Sequence, residues 1–157
     1  MKARLMHVAL AAALALGAFN AAAADTHAHE AGASKALKLN VGKKWQTDAP
    51  LRKGMEEIRS AVAADKAALH AGKMTPAAYD ILAKKIDGQV AYMVKNCKLP
   101  PEADAQLHLV IADLMQASEA MKGKGGKVTR KAGVEKVVAA LAAYAKHFDH
   151  PGWRPLG

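Results

Sequence analysis

The chain has 157 residues, 23 of them basic and 14 acidic, for a formal net charge of +9, and it holds one cysteine, Cys97. A lone cysteine excludes an intramolecular disulfide, and the lack of a Cys-x-x-Cys-His run excludes covalent c-type haem attachment. Aromatic residues make up 4% of the chain and do not interleave with the basic ones, so no nucleic-acid groove is expected.

At the start, Lys2 and Arg4 precede an apolar run from Leu5 to Gly17 that His7 alone interrupts, and Ala22-Ala23-Ala24 places small residues at its exit. Charged start, short apolar core and small-residue exit describe a secretory signal peptide over residues 1–24. The run is too short to span a bilayer, and no later segment is apolar enough, so no membrane span is expected. The mature protein is expected to begin near Asp25 and to be periplasmic. Removing the signal takes away Lys2 and Arg4 but no acid, so the mature chain stays basic. Such a protein can meet anionic lipid, cell-wall polymers or an acidic partner, although scattered lysines also suit a plain solvated surface.

Residues 25–46 read as a flexible leader carrying Thr26-His27-Ala28-His29, with a short ordered piece around Leu37 to Val41. Helical periodicity begins after Trp45. Thr47 or Asp48 can cap a first helix that tolerates Pro50 in its first turn, and Leu51, Met55, Ile58, Val62 and Leu69 form its buried stripe up to Gly72. A second helix starts at Thr75-Pro76, with Met74 and Tyr79 placed as a hydrophobic staple. Its stripe is Tyr79, Leu82, Ile86, Val90, Met93 and Cys97, and Leu99-Pro100-Pro101 breaks it. A third starts at Pro101, with Glu102 and Asp104 near its positive end and a face of Leu107, Val110, Ile111, Leu114, Met115 and Met121. After the glycines of Gly123 to Gly126, Thr129 can cap a fourth, lined by Val134, Val137, Leu141, Tyr144 and Phe148 and ended by Pro151-Gly152. Four amphipathic helices on short connections fold most simply as an all-α, up-down-up-down antiparallel four-helix bundle over residues 47–150, followed by a tail over 151–157.

That topology gathers Met55, Met93, Cys97, His108, His147 and His150 at one end, whereas the other end carries His70 and Met74. Thioether, thiolate and imidazole groups suit Cu(I), zinc or haem iron. Met93 and Cys97 are four apart and share a helix face, and His147 and His150 flank Asp149 at a helix end. Each residue also has a plain structural account. Methionines on a core stripe fill space, a buried cysteine is inert, and His147 at a helix C-terminus gains from the helix dipole.

On these residues the chain resembles the cytochrome b562 and c-prime class of periplasmic four-helix bundles. In the b562 branch a methionine early in the first helix and a histidine late in the fourth hold a non-covalent haem. The resemblance places these ligands at Met55, within Gly54-Met55-Glu56-Glu57-Ile58-Arg59, and at His147, within Tyr144-Ala145-Lys146-His147. The stretch from Tyr79 to Asp87 is similar to a b562 helix that stands third in that family and second here. The class implies a b-type haem and one-electron transfer. Cys97, the Lys98-Leu99-Pro100-Pro101 turn and the ending from His147 to Trp153 depart from it, and resemble a set of exported proteobacterial proteins from which no mechanism carries over.

Two classes of function follow. In the first, one bundle end binds a metal centre. Haem b between Met55 and His147 would make an electron carrier, and copper held by Met93, Cys97, His108 and either Met55 or His147, with His150 a further candidate ligand, would serve binding or delivery, with a periplasmic redox or metal-handling protein as partner. In the second, the bundle is an interaction module without cofactor, and its ligand-like residues are core. No serine-histidine-acid grouping, phosphate-binding glycine loop or carboxylate pair points to an enzyme. Cys97 with His108 or His147 is the remaining nucleophile arrangement, and a buried stripe position suits it poorly.

Overall fold

The structure, a computed structural model, describes residues 36–156; the signal peptide expected at 1–24 and the pair His27 and His29 lie outside them. The element order is β1 (Trp45–Gln46), α1 (Ala49–His70), α2 (Pro76–Asn96), α3 (Pro101–Met121), α4 (Arg130–His147) and β2 (Phe148–Asp149). The four helices pack against each other as an all-α bundle.

The helix starts follow from their capping chemistry. Oδ1 of Asp48 accepts from the Leu51 N–H at 2.9 Å, Oγ1 of Thr75 from that of Ala78 at 3.2 Å, and Oγ1 of Thr129 from that of Ala132 at 3.1 Å. Each bond satisfies an amide that the helix itself leaves unpaired. α3 has no side-chain cap; it begins at Pro101, whose missing N–H costs nothing there, and Glu102 and Asp104 occupy its first turn. After α1 and α3 the chain turns at Gly72 (φ +63°) and Gly123 (φ +77°), conformations that side chains with a Cβ rarely adopt.

The stripes meet in one core. Leu51, Met55, Ile58 and Val62 of α1 join Leu82, Ile86, Val90 and Met93 of α2, Leu107, Val110, Leu114 and Met121 of α3, and Val134, Val137, Leu141 and Tyr144 of α4. Two glycines let helices approach closely. A Cβ at Gly54 would overlap the Met93 side chain, whose Sδ would lie 2.8 Å away, and a Cβ at Gly133 would meet the Ala117 carbonyl oxygen at 2.9 Å. The buried Ser118 Oγ donates to Asp87 Oδ1 at 2.5 Å. Two expectations are corrected. Met115 is 53% exposed, because it flanks the α3 stripe instead of lying on it. Phe148 is buried as expected, but α4 ends at His147 and Phe148 belongs to β2.

Side-chain contacts tie the helix ends. Asp48 Oδ2 accepts from the Lys98 N–H at 2.6 Å, linking the start of α1 to the residues after α2. Arg130 at the start of α4 pairs with Asp80 near the start of α2 at 2.6 Å and also donates to the Met121 carbonyl at the end of α3. Residues 36–46, the last part of the expected leader, are bonded to the bundle. β1 pairs with β2 in parallel, with Trp45 opposite Phe148 and Gln46 opposite Asp149. The Thr47 hydroxyl donates to the Asp149 carbonyl at 2.6 Å, Lys44 Nζ to the Ala145 carbonyl at 2.7 Å, and the Lys38 N–H to Gln106 Oε1 at 2.8 Å. Among the described residues, no helix is long and apolar enough to cross a membrane.

Candidate functional site at the strapped end

The ligand-like residues expected at one end occupy different surroundings. Met55 and Met93 are fully buried within the apolar core. Cys97 is the C-cap of α2 and half-buried, and its backbone N–H donates to the Met93 carbonyl. Burial, and then the neighbouring carboxylates of Asp48 and Asp104, push its thiol up to about 12. A thiol held so firmly in its protonated form is a poor nucleophile.

His108 lies on the outside of α3 with 60% of its side chain exposed. Its Nδ1–H donates to the Asp104 carbonyl at 2.9 Å, and the Asp104 carboxylate stands 3.3 Å away. His147 makes the same kind of bond, Nδ1–H to the Ala143 carbonyl at 2.8 Å. A carbonyl can only accept, so both rings carry their hydrogen on Nδ1 when neutral and leave the Nε2 lone pair free.

His150 belongs to another group. Its Nδ1 and the Tyr144 hydroxyl share a hydrogen bond of 2.9 Å. Tyr144 stacks on Phe148 with ring centroids 5.2 Å apart, and Trp153 packs edge-on to Tyr144 at 5.1 Å and tilted to His150 at 5.0 Å. Burial holds His150 below its ordinary pKa; Glu56 opposes that shift and Arg52 adds to it. Glu56 is itself held below the usual carboxylate range, first by its hydrogen bonds from Arg59, with smaller contributions from His150 and Arg154. From Trp153 the tail runs on to Leu156, which borders small cavities shared with Val138 of α4 and with Val62 and Leu69 of α1. This aromatic cluster was not foreseen as a unit. Its sequence signal is density, since three of the chain's seven aromatic residues fall between Tyr144 and Trp153.

The structure therefore sets Cys97 beside Asp48 and Asp104, sets His108 outward on α3, and sets His150 against Tyr144 and Trp153. Among the described residues, no three His, Cys, Asp or Glu side chains form a group able to hold a metal ion. Cys97, His108, His147 and His150 are therefore not gathered into such a group. A b-type haem on Met55 would have to enter the packed core, where that residue is fully buried. Met55 belongs to one buried core with Leu51, Met93, Leu107, Tyr144 and Phe148, all essentially without solvent exposure. A close-packed interior has no slot for a macrocycle unless these side chains are displaced.

Compared with known proteins, the chain matches no family model, and no curated protein or solved structure was found similar to it.

Proposed function

We propose that this chain is an exported periplasmic bundle, its helices running up-down-up-down, that works as a binding module through its surface without a resident haem or metal centre and without catalysis. The observation that carries this reading is the packing of Met55 and Met93. Both are fully buried, and Met93 lies against the bare backbone of Gly54, which is how methionine fills a core gap. The raised thiol of Cys97 agrees, since a ligand or nucleophile is more useful with a lowered pKa. A surface that binds needs a rigid support, and the bonded segment 36–46 and the aromatic cluster around Tyr144 give this end one.

Thermal unfolding in the presence of hemin, and separately of Cu(I), tests the reading. A ligand that binds the folded and not the unfolded state raises stability with the logarithm of its concentration once that exceeds Kd. The expected result is an unchanged midpoint with either ligand. A rise with hemin that disappears in Met55→Leu or His147→Gln would replace this reading with the haem reading.

A second reading, soft-metal binding or delivery to a periplasmic partner, is favoured by the free Nε2 atoms of His108 and His147. It requires metal held by few protein ligands and completed by a partner. Cu(I) taken up by wild type and lost in His108→Gln would support it.

A further inference from the structure

The turn ahead of β1 carries a residue that its geometry disfavours. Asn40 and Lys43 exchange both backbone hydrogen bonds, at 2.8 and 2.9 Å, which leaves Val41 and Gly42 as the two central residues. Both have positive φ, +48° and +79°. Such a turn favours asparagine followed by glycine, and a β-branched residue in the left-handed region is a backbone outlier. Val41 also stands 96% exposed, the least favourable setting for its side chain. Leu39, on the same projection, is 39% exposed. Asparagine at position 41 would remove both costs, so neither folding nor solubility accounts for valine there.

The turn is firmly mounted. Trp45 Nε1 donates to the Lys38 carbonyl at 2.7 Å, the Lys38 N–H donates to Gln106, and Lys44 is bonded to the end of α4. Lys38 and Lys43 are exposed on either side of the two apolar side chains. A rigid projection with an apolar tip and a cationic collar matches the two layers of an anionic bilayer surface, where phosphates meet the lysines and the acyl boundary receives the tip. The positive charge of the whole chain acts in the same direction at longer range.

We propose that the turn from Lys38 to Lys43 is a contact site for anionic membrane surfaces, with Val41 and Leu39 entering the headgroup boundary and Lys38 and Lys43 pairing with lipid phosphates. This names a partner for the binding-module reading and rests on it. A failure here leaves the hemin and metal results unchanged, so the two are told apart.

The test is co-sedimentation of the mature chain with vesicles of phosphatidylcholine, with and without phosphatidylglycerol. Wild type is expected to sediment with the phosphatidylglycerol vesicles and to be released at high salt. Val41→Asn suits the turn and should fold at least as stably as wild type, yet it should bind about tenfold more weakly, since it loses the buried valine. Lys38→Ala combined with Lys43→Ala should weaken binding and flatten its salt dependence. If wild type stays in the supernatant, the proposal is overturned, and a pocket on an acidic protein becomes the alternative. Binding by Val41→Asn equal to that of wild type overturns it as well, because the apolar tip would then contribute nothing.

Discussion

The hydroxyl of Tyr144 and Nδ1 of His150 are hydrogen-bonded at 2.9 Å, and Trp153 packs against both rings. This half-buried contact helps to hold the tail after α4 onto the core. The groups acting on it are Tyr144 of α4, Arg52 and Glu56 of α1, and Arg154, which acts through Glu56.

That contact predicts an acid-sensitive stability. His150 is held below its ordinary value of 6.5, so the unfolded chain binds more protons than the folded one as pH falls through that value. Stability is then full above 6.5 and declines as pH drops toward the folded-state pKa. Glu56, also lowered, adds a further loss beneath its ordinary value of 4.5. Urea denaturation between neutral and mildly acid pH should show the decline, and His150→Gln should flatten its upper part. A wild-type profile with no slope there would contradict the burial of this imidazole.

Cys97 should react slowly. Its thiol is raised from 9.0 to about 12, so at pH 9 the thiolate fraction in the folded chain is smaller by about three orders of magnitude than that of the pair-free thiol. Alkylation by iodoacetamide should be slow in buffer and fast in denaturant. The same shift means that stability is full below pH 9 and is lost as pH climbs toward 12. Equal labelling rates in both conditions would place the thiol in solvent.

Three glycines give a test of helix packing. Gly54→Ala presses into Cγ and Sδ of the fully buried Met93, which must shift as a whole, at a cost of about 1–3 kcal/mol. Gly133→Ala meets backbone atoms of Ala117 and Met121 and should likewise destabilise by about 1–3 kcal/mol. Gly88→Ala faces open space on α2 and should stabilise by roughly 0.5–1 kcal/mol. Chemical denaturation of the three variants reads the signs directly.

Trp153 supplies a fourth case. Its Nε1 is buried without a hydrogen-bond partner among the described residues, so Trp153→Phe removes an unsatisfied donor and should be close to neutral. Trp153→Ala instead strips the ring from Tyr144 and His150 and should destabilise clearly. Comparing the two melting midpoints separates packing from polarity.

The helices were legible because their signals are local. Asp48, Thr75 and Thr129 cap where sequence places caps, and Pro101 opens α3. The strap was not legible, because Trp45 and Phe148 are far apart in the chain and two-residue strands have no periodicity to read. Helix order let the sequence expect the ligand-like residues at one end, but it does not give side-chain direction. His108 is four residues from Asp104 and turns to that partner, away from the core. Met115 shows the same limit, since adjacency to Leu114 does not decide which side of the helix faces inward.

The central claim is that Met55, Met93 and Cys97 are structural and that no resident centre is bound. The measurement that tests it most directly is the absorption spectrum and elemental content of the mature chain, purified from an exporting host without chelator or histidine tag. A surface-binding bundle gives no Soret band and no stoichiometric iron, copper or zinc. Stoichiometric iron with a Soret band that Met55→Ala abolishes, or stoichiometric copper that Cys97→Ala abolishes, would contradict it.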